Sequence, residues 1–443
     1  MKIPHLVAAA VAATLCCGTA LAAPAWITLG ADALQVLQRM TPQLQVLGTA
    51  QARVDVPLSR DSSAARQKLE TVHAVEVDDN WLEILSVMVH GELQRCGGYK
   101  YHDSKGAALA ALQRLEAPRA VGAQPSYAID NAAAVNALLP QLQASNLLGT
   151  IEGMAAFQNR RYNSSHGVNA SNWLLAQWQA LDPGTRRDVR VTQVTHTGFN
   201  QKSVSFEIKG TGNAAEVVIL GGHLDSIAGS AIETSRAPGA DDNASGIAGL
   251  TEIIRVLMAS NYQPKRTLRF IGYAAEEVGL RGSQQIAADY ANRRERVVGV
   301  LQLDMTAFKS TLDSKDIWIY TDYTNAAQNQ FLADLTAFYL PTLTVGYSAC
   351  GYGCSDHASW HALGFAASFP HEASNANYNR AIHTSNDTAA TFGNQSIHAL
   401  KFTQLALTYA VELASDLRVA PTAAAAVTAK VTAKVAAKET APR

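Results

Sequence analysis

The chain has 443 residues, 48% hydrophobic and 16% charged, with 36 basic against 37 acidic side chains and a formal net charge of -1. That balance argues against a nucleic-acid binder, which needs a basic surface, and against a disordered chain, which needs low hydrophobicity and high net charge. The length admits two domains or one large α/β domain with an appendage.

At the start of the chain, Lys2, a weakly apolar run over 6–15 and the small residues Ala20 and Ala22 spell a secretory signal peptide over residues 1–22. The run is too short to span a bilayer and no other segment is long enough, so a secreted protein, extracellular or periplasmic, without a membrane span is expected. Residues 23–125 are irregular, with a charged stretch at 59–76 and a linker-like end at 117–125. We expect a small α+β segment there.

From 131 onward the text becomes periodic. Leu174, Trp178 and Leu181 recur at helical spacing, and Val189 and Val191 followed by Val204, Phe206 and Ile208 alternate as a hairpin. Continuous apolar runs at 217–220, 268–274, 297–303 and 317–320 suit strands buried on both faces of a mostly parallel sheet. Ile247, Leu250, Ile254 and Leu257 form the stripe of a crossover helix, and Phe402, Leu405, Tyr409 and Leu413 that of a late one. The expected fold is α/β, a mixed, mainly parallel central sheet flanked by helices, over 126–418. Residues 419–443, almost all Ala, Val, Thr and Lys, cannot pack a core and read as a flexible tail. In an oxidising compartment Cys350 and Cys354 are best read as a short-loop disulfide, with a metal-binding thiol pair as the alternative, and Cys96 has no obvious partner.

The acids and imidazoles fall where these strands end. One run closes in GGHLDS, giving His223 and Asp225; the next reaches Glu276 and Glu277; the third reaches Asp304. The turn GADDNASG adds Asp241 and Asp242, and IHTSND adds His383. Strand ends of one sheet converge, and so many acids at one edge repel unless cations sit among them. Carboxylates and imidazoles without thiolate suit zinc, and also cobalt or manganese, and a pair of metals with one bridging carboxylate fits such a set. Asp225, two residues past His223, can accept the proton of its other ring nitrogen and fix the tautomer that binds metal.

The motifs GGHLDS, APGADDNASGIAGLTEIIRVL, YAAEEVGLRGS, LQLDMT, YTDYTN, CGYGCSDHASWH and IHTSNDT resemble those of the secreted bacterial leucyl aminopeptidases, co-catalytic dizinc exopeptidases, over about 131–417. The resemblance implies two zinc ions per chain. His223 and Asp304 would bind one, Glu277 and His383 the other, and Asp242 would bridge them across a cis Asp242–Asn243 peptide. It makes Glu276 the general base acting on a zinc-bridging hydroxide, and Tyr352 the support of the tetrahedral intermediate. The implied substrate is a peptide with a free N-terminus, cleaved by a monomer after an apolar, leucine-like residue. The matching side-chain pocket holds Met305, Tyr320, Phe369, Tyr378 and Ile382, but His371 and Asn375 stand where the family type has Phe, which makes it more polar. Residues 23–125 occupy the place of an inhibitory, folding-assisting propeptide, with a permanent accessory domain as the alternative. The alternative is another zinc hydrolase of this fold, a carboxypeptidase or glutaminyl cyclase.

Overall fold

The computed structural model describes residues 23–415 apart from 94, 96, 117–126, 183 and 230. The signal peptide, the linker, the tail and Cys96 therefore lie outside the described residues.

Strands β1 (Pro24–Gly30), β2 (Val46–Ser59), β3 (Ser62–Asp78) and β4 (Tyr99–His102) form an antiparallel sheet in the order β2-β3-β1-β4. Helices Ala31–Met40, Trp81–Leu93 and Lys105–Glu116 pack with it. The irregular, charged text at 59–76 is thus the turn and second arm, β3, of a long hairpin with β2. Its outer half is solvated on both faces, so no apolar alternation marks it until Val72.

Eight further strands build the second sheet: β5 (Val189–Val194), β6 (Ser203–Ile208), β7 (Asn213–His223), β8 (Arg266–Tyr273), β9 (Arg296–Gln302), β10 (Ile317–Tyr320), β11 (Val345–Ser348) and β12 (Ala367–His371). Their order is β11-β10-β12-β9-β7-β8-β6-β5. The hairpin β5–β6 sets Val191 opposite Phe206. The centre, β12-β9-β7-β8, is parallel; β8–β6 and β12–β10 are antiparallel, so the sheet is mixed. The 317–320 run, read with the parallel strands, is β10, which runs parallel to β11 and antiparallel to β12.

Helix Gly246–Ala259 follows β7 and buries Ile247, Leu250, Ile254 and Leu257 completely; helix Ile397–Ser415 does the same with Phe402, Leu405 and Tyr409. Each such side chain contributes about 1.5–3 kcal/mol. Gly246 is required by the close approach of helix to strand end, since a Cβ there would lie 2.2 Å from the Leu303 carbonyl oxygen.

The two parts share their cores. Ile27, Val75, Leu82 and Val89 cluster with Tyr162, Ala275 and Val278, and Ala50, Val54 and Ala74 with Leu280, Tyr323 and Tyr352. The parallel centre has a further consequence: β7, β8, β9 and β12 all end at one edge, in His223, Tyr273, Gln302 and His371.

Candidate active site

The residues beyond those four strand ends meet in one buried cluster. His223 Nε2 lies 2.9 Å from Asp242 Oδ1 and 3.3 Å from Asp304 Oδ1. On the other flank His383 Nε2 lies 3.2 Å from Asp242 Oδ2 and 2.7 Å from Glu277 Oε2. Asp242 thus turns one oxygen toward each histidine. Its peptide to Asn243 is cis.

Local backbone explains the aim of these groups. Glu276 and Glu277 stand past the end of β8, in a turn entered through Ala275 at φ +56. The Asp225 carboxylate fixes the backbone of this turn, accepting the Glu276 amide at 3.0 Å on Oδ1 and the Glu277 amide at 3.1 Å on Oδ2. With its carboxylate so engaged, Asp225 meets His223 Nδ1 chiefly through its main-chain carbonyl, at 3.2 Å, with Oδ1 at 3.5 Å. Ser355 donates to Asp304 Oδ2 at 2.6 Å. Met305, next to Asp304, and His383 itself also hold positive φ, +54 and +56, an uncommon state for non-glycine residues that concentrates at functional sites.

Burial opposes ionisation of Asp242, but hydrogen bonds and charge from His223 and His383 outweigh it and hold the carboxyl below its ordinary range. Burial lifts Glu277 to about 7 against the pull of His383. Glu276 is raised well above the carboxylate range by burial, with His223 opposing and Asp356, Glu277 and Asp304 reinforcing.

The positions expected to line the side-chain pocket fall in two buried groups. Met305, Tyr378 and Ile382 form one buried group, and Tyr320 and Phe369 another next to the Cys350–Cys354 disulfide. The two cysteines are paired as the sequence reading expects. Between the groups, His371 stacks on Tyr320 at 4.8 Å and lies edge-on to Phe369 and Tyr378.

The N-terminal segment lies against this site, through contacts that the sequence does not announce. His90, on helix Trp81–Leu93, places its ring 5.2 Å from that of His383 and its Nδ1 3.2 Å from Tyr378 Oη. Burial and the charge of His383 pull this imidazole down to about 4, so it sits there neutral. Ser86 donates to the Glu277 carbonyl at 2.6 Å, and Glu83 pairs with the fully buried Arg161 at 3.0 Å. Thr28 of β1 shares a 2.8 Å hydrogen bond with the Tyr352 hydroxyl.

Comparison with known proteins follows from this geometry. Residues 203–408 match the model of peptidase family M28. A leucine aminopeptidase 1 of Arthroderma gypseum is 34% identical over 307 residues, which cover 66% of this chain and 81% of that one. The chain belongs to peptidase family M28. In fold it is similar to the LapA aminopeptidase of Legionella pneumophila, with a TM-score of 0.75 at 29% identity over 90% of this chain and all of that one. LapB of the same organism gives 0.72 at 27% identity. M28 membership makes the chain a zinc-dependent aminopeptidase hydrolase; since the sequence relative is fungal, the family stands more broadly than its secreted bacterial branch.

The M28 site fits zinc. Asp242 Oδ2, Glu277 Oε1, Asp304 Oδ1 and His383 Nε2 are buried without a hydrogen-bond partner among the described residues, a costly state for groups a cation does not engage. Ligand atoms around tetrahedral zinc, with bonds of about 2.0–2.1 Å, stand about 3.3 Å apart, close to the separations above. Chelation of the purified protein is expected to lower its melting temperature and zinc to restore it, by about 2.7 kcal/mol at a hundredfold excess over Kd. Identical melting with and without chelator would show that the cluster holds no metal.

Proposed function

We propose that the chain is a secreted metallo-aminopeptidase that hydrolyses the N-terminal peptide bond of peptides and uses two zinc ions. The observation that carries this reading is the division of the Asp242 carboxylate between two histidines, each with its own second carboxylate. His223 and Asp304 would hold one ion, His383 and Glu277 the other, and Asp242 both. Zinc at these positions supplies Lewis acidity, lowering the pKa of water toward neutrality and polarising the scissile carbonyl.

The remaining chemistry belongs to the chain. Glu276 takes a proton from the attacking water as its oxygen bonds to the carbonyl carbon, then returns that proton to the amine nitrogen as the C–N bond breaks. Tyr352, once parted from Thr28, donates its hydroxyl to the carbonyl oxygen. Met305, Tyr320, Phe369, Tyr378 and Ile382 receive an apolar side chain, in keeping with the name of the Arthroderma relative, and His371 gives the pocket a polar wall. The signal-peptide reading of residues 1–22 supports secretion.

Residues 23–125 act as an inhibitory propeptide in this reading. Helix Trp81–Leu93 lays His90 against His383 and Tyr378, where substrate would enter, and Thr28 occupies the Tyr352 hydroxyl.

Two outcomes are expected. Glu276→Gln retains its zinc but loses at least about 10²-fold in kcat, the scale of a missing general base; near-normal turnover would overturn the assignment. Cleavage between 116 and 127 raises turnover, and the N-terminus of the active form, read by sequencing, lies in that interval. Full activity in protein that starts at Ala23 would overturn the propeptide reading.

A further inference from the structure

Asp387 lies four residues after His383 and is 1% exposed. Its carboxylate accepts two consecutive amides of the bridging loop, Asp241 N–H on Oδ1 and Asp242 N–H on Oδ2, each at 3.0 Å. Its main-chain carbonyl accepts the Ala240 amide at 3.1 Å. The pattern repeats that of Asp225, two residues after His223, which accepts the amides of Glu276 and Glu277. In each case a buried aspartate downstream of one histidine grips the amides of two consecutive acidic residues, at least one of which faces the cluster.

The same loop is held from its carbonyl side. Arg160, fully buried, donates from Nη2 to the Gly239 carbonyl at 2.9 Å, from Nε to the Leu224 carbonyl at 2.8 Å, and from Nη1 to the Pro238 carbonyl. Asp241 is used up as well, its carboxylate taking the Ala307 amide and the Asn379 side-chain amide, both at 2.9 Å. Of the Asp241–Asp242 pair, only Asp242 is left to face the histidines.

We propose that Asp387 is a positioning residue for the Asp242 carboxylate, and that Asp225 and Asp387 form a matched pair of amide clamps. Each is covalently tied to a histidine of one flank and hydrogen-bonded to the loop that bears a carboxylate of the cluster. The clamp presets the spacing of the two flanks, so that the carboxylate need not be ordered when metal binds. This rests on the reading of Asp242 as the bridging ligand.

The test compares Asp387→Asn with wild type and with Asp242→Asn. Asparagine keeps the shape but turns an N–H toward one of the two amides. Three quantities are measured on each: zinc affinity by competition with a chromophoric chelator, the visible spectrum of the cobalt-substituted protein, and kcat and KM on a leucyl peptide. For Asp387→Asn we expect zinc affinity and kcat to fall about 10–100-fold, the usual scale for groups that orient metal ligands, with KM within about twofold and an altered cobalt spectrum. A variant that only melts earlier, with wild-type affinity and cobalt spectrum, would overturn the proposal. Unchanged affinity and spectrum in Asp242→Asn would instead sink the bridging reading and leave the clamp as structure alone. Should Asp387→Asn fail to fold, hydrogen exchange of residues 239–246 in wild type decides. Protection in both zinc-loaded and chelated protein is expected, and rapid exchange in the chelated form would contradict a preset loop.

Discussion

Repulsion among buried carboxylates governs this site. Asp242, Glu276, Glu277 and Asp304 are each about 95% buried, with the imidazoles of His223 and His383 beside them. Like charges about 4 Å apart repel by about 4 kcal/mol at the effective dielectric of a protein surface, and more when buried. Protons or cations must offset that repulsion; burial first, and then neighbouring acids, push Glu276 and Glu277 upward, while Asp242, between two histidines, is pulled down. The scaffold is organised to hold the acids together regardless. Parallel strands deliver them to one edge, Asp225 and Asp387 tie down the backbone beneath them, and Arg160 binds the carbonyls of the neighbouring loops.

The N-terminal sheet is tied to the same edge by different physics. Its hold is mainly apolar, two shared cores in which Ala275 and Val278 next to the glutamate pair pack against residues of the first sheet and its helices. Polar contacts then add position: the Glu83–Arg161 pair, the Ser86 bond to Glu277, and the Thr28 bond to Tyr352. Under the propeptide reading, cutting the chain is only the first step of activation. The shared cores must also separate before His90 leaves the pocket.

Much of the centre was legible in the sequence because strand ends are short-range features. An apolar run followed at once by GGHLDS or YAAEE states where a side chain sits without knowledge of the rest of the fold, and the helix stripes at 247–257 and 402–413 are equally local. Long-range partners left no such trace. Arg160 meets the carbonyl of Gly239 and Asp387 the amide of Asp241, each joined only by folding, and His90 reads as an ordinary residue of an apolar helix. The hairpin of β2 and β3 escaped because its exposed half carries polar residues on both faces. The apolar text runs up to the glutamate pair, which hides that β8 stops at Tyr273 and the turn begins before it.

The central claim is that this edge of the sheet is a metal-dependent site for free peptide N-termini. Release of the first amino acid from one leucyl peptide, with its amine free or acetylated and with or without chelator, addresses it most directly. The account predicts release from the free peptide alone, abolished by chelator and recovered on adding zinc. Release from the acetylated peptide, or release that persists in chelator, would contradict it.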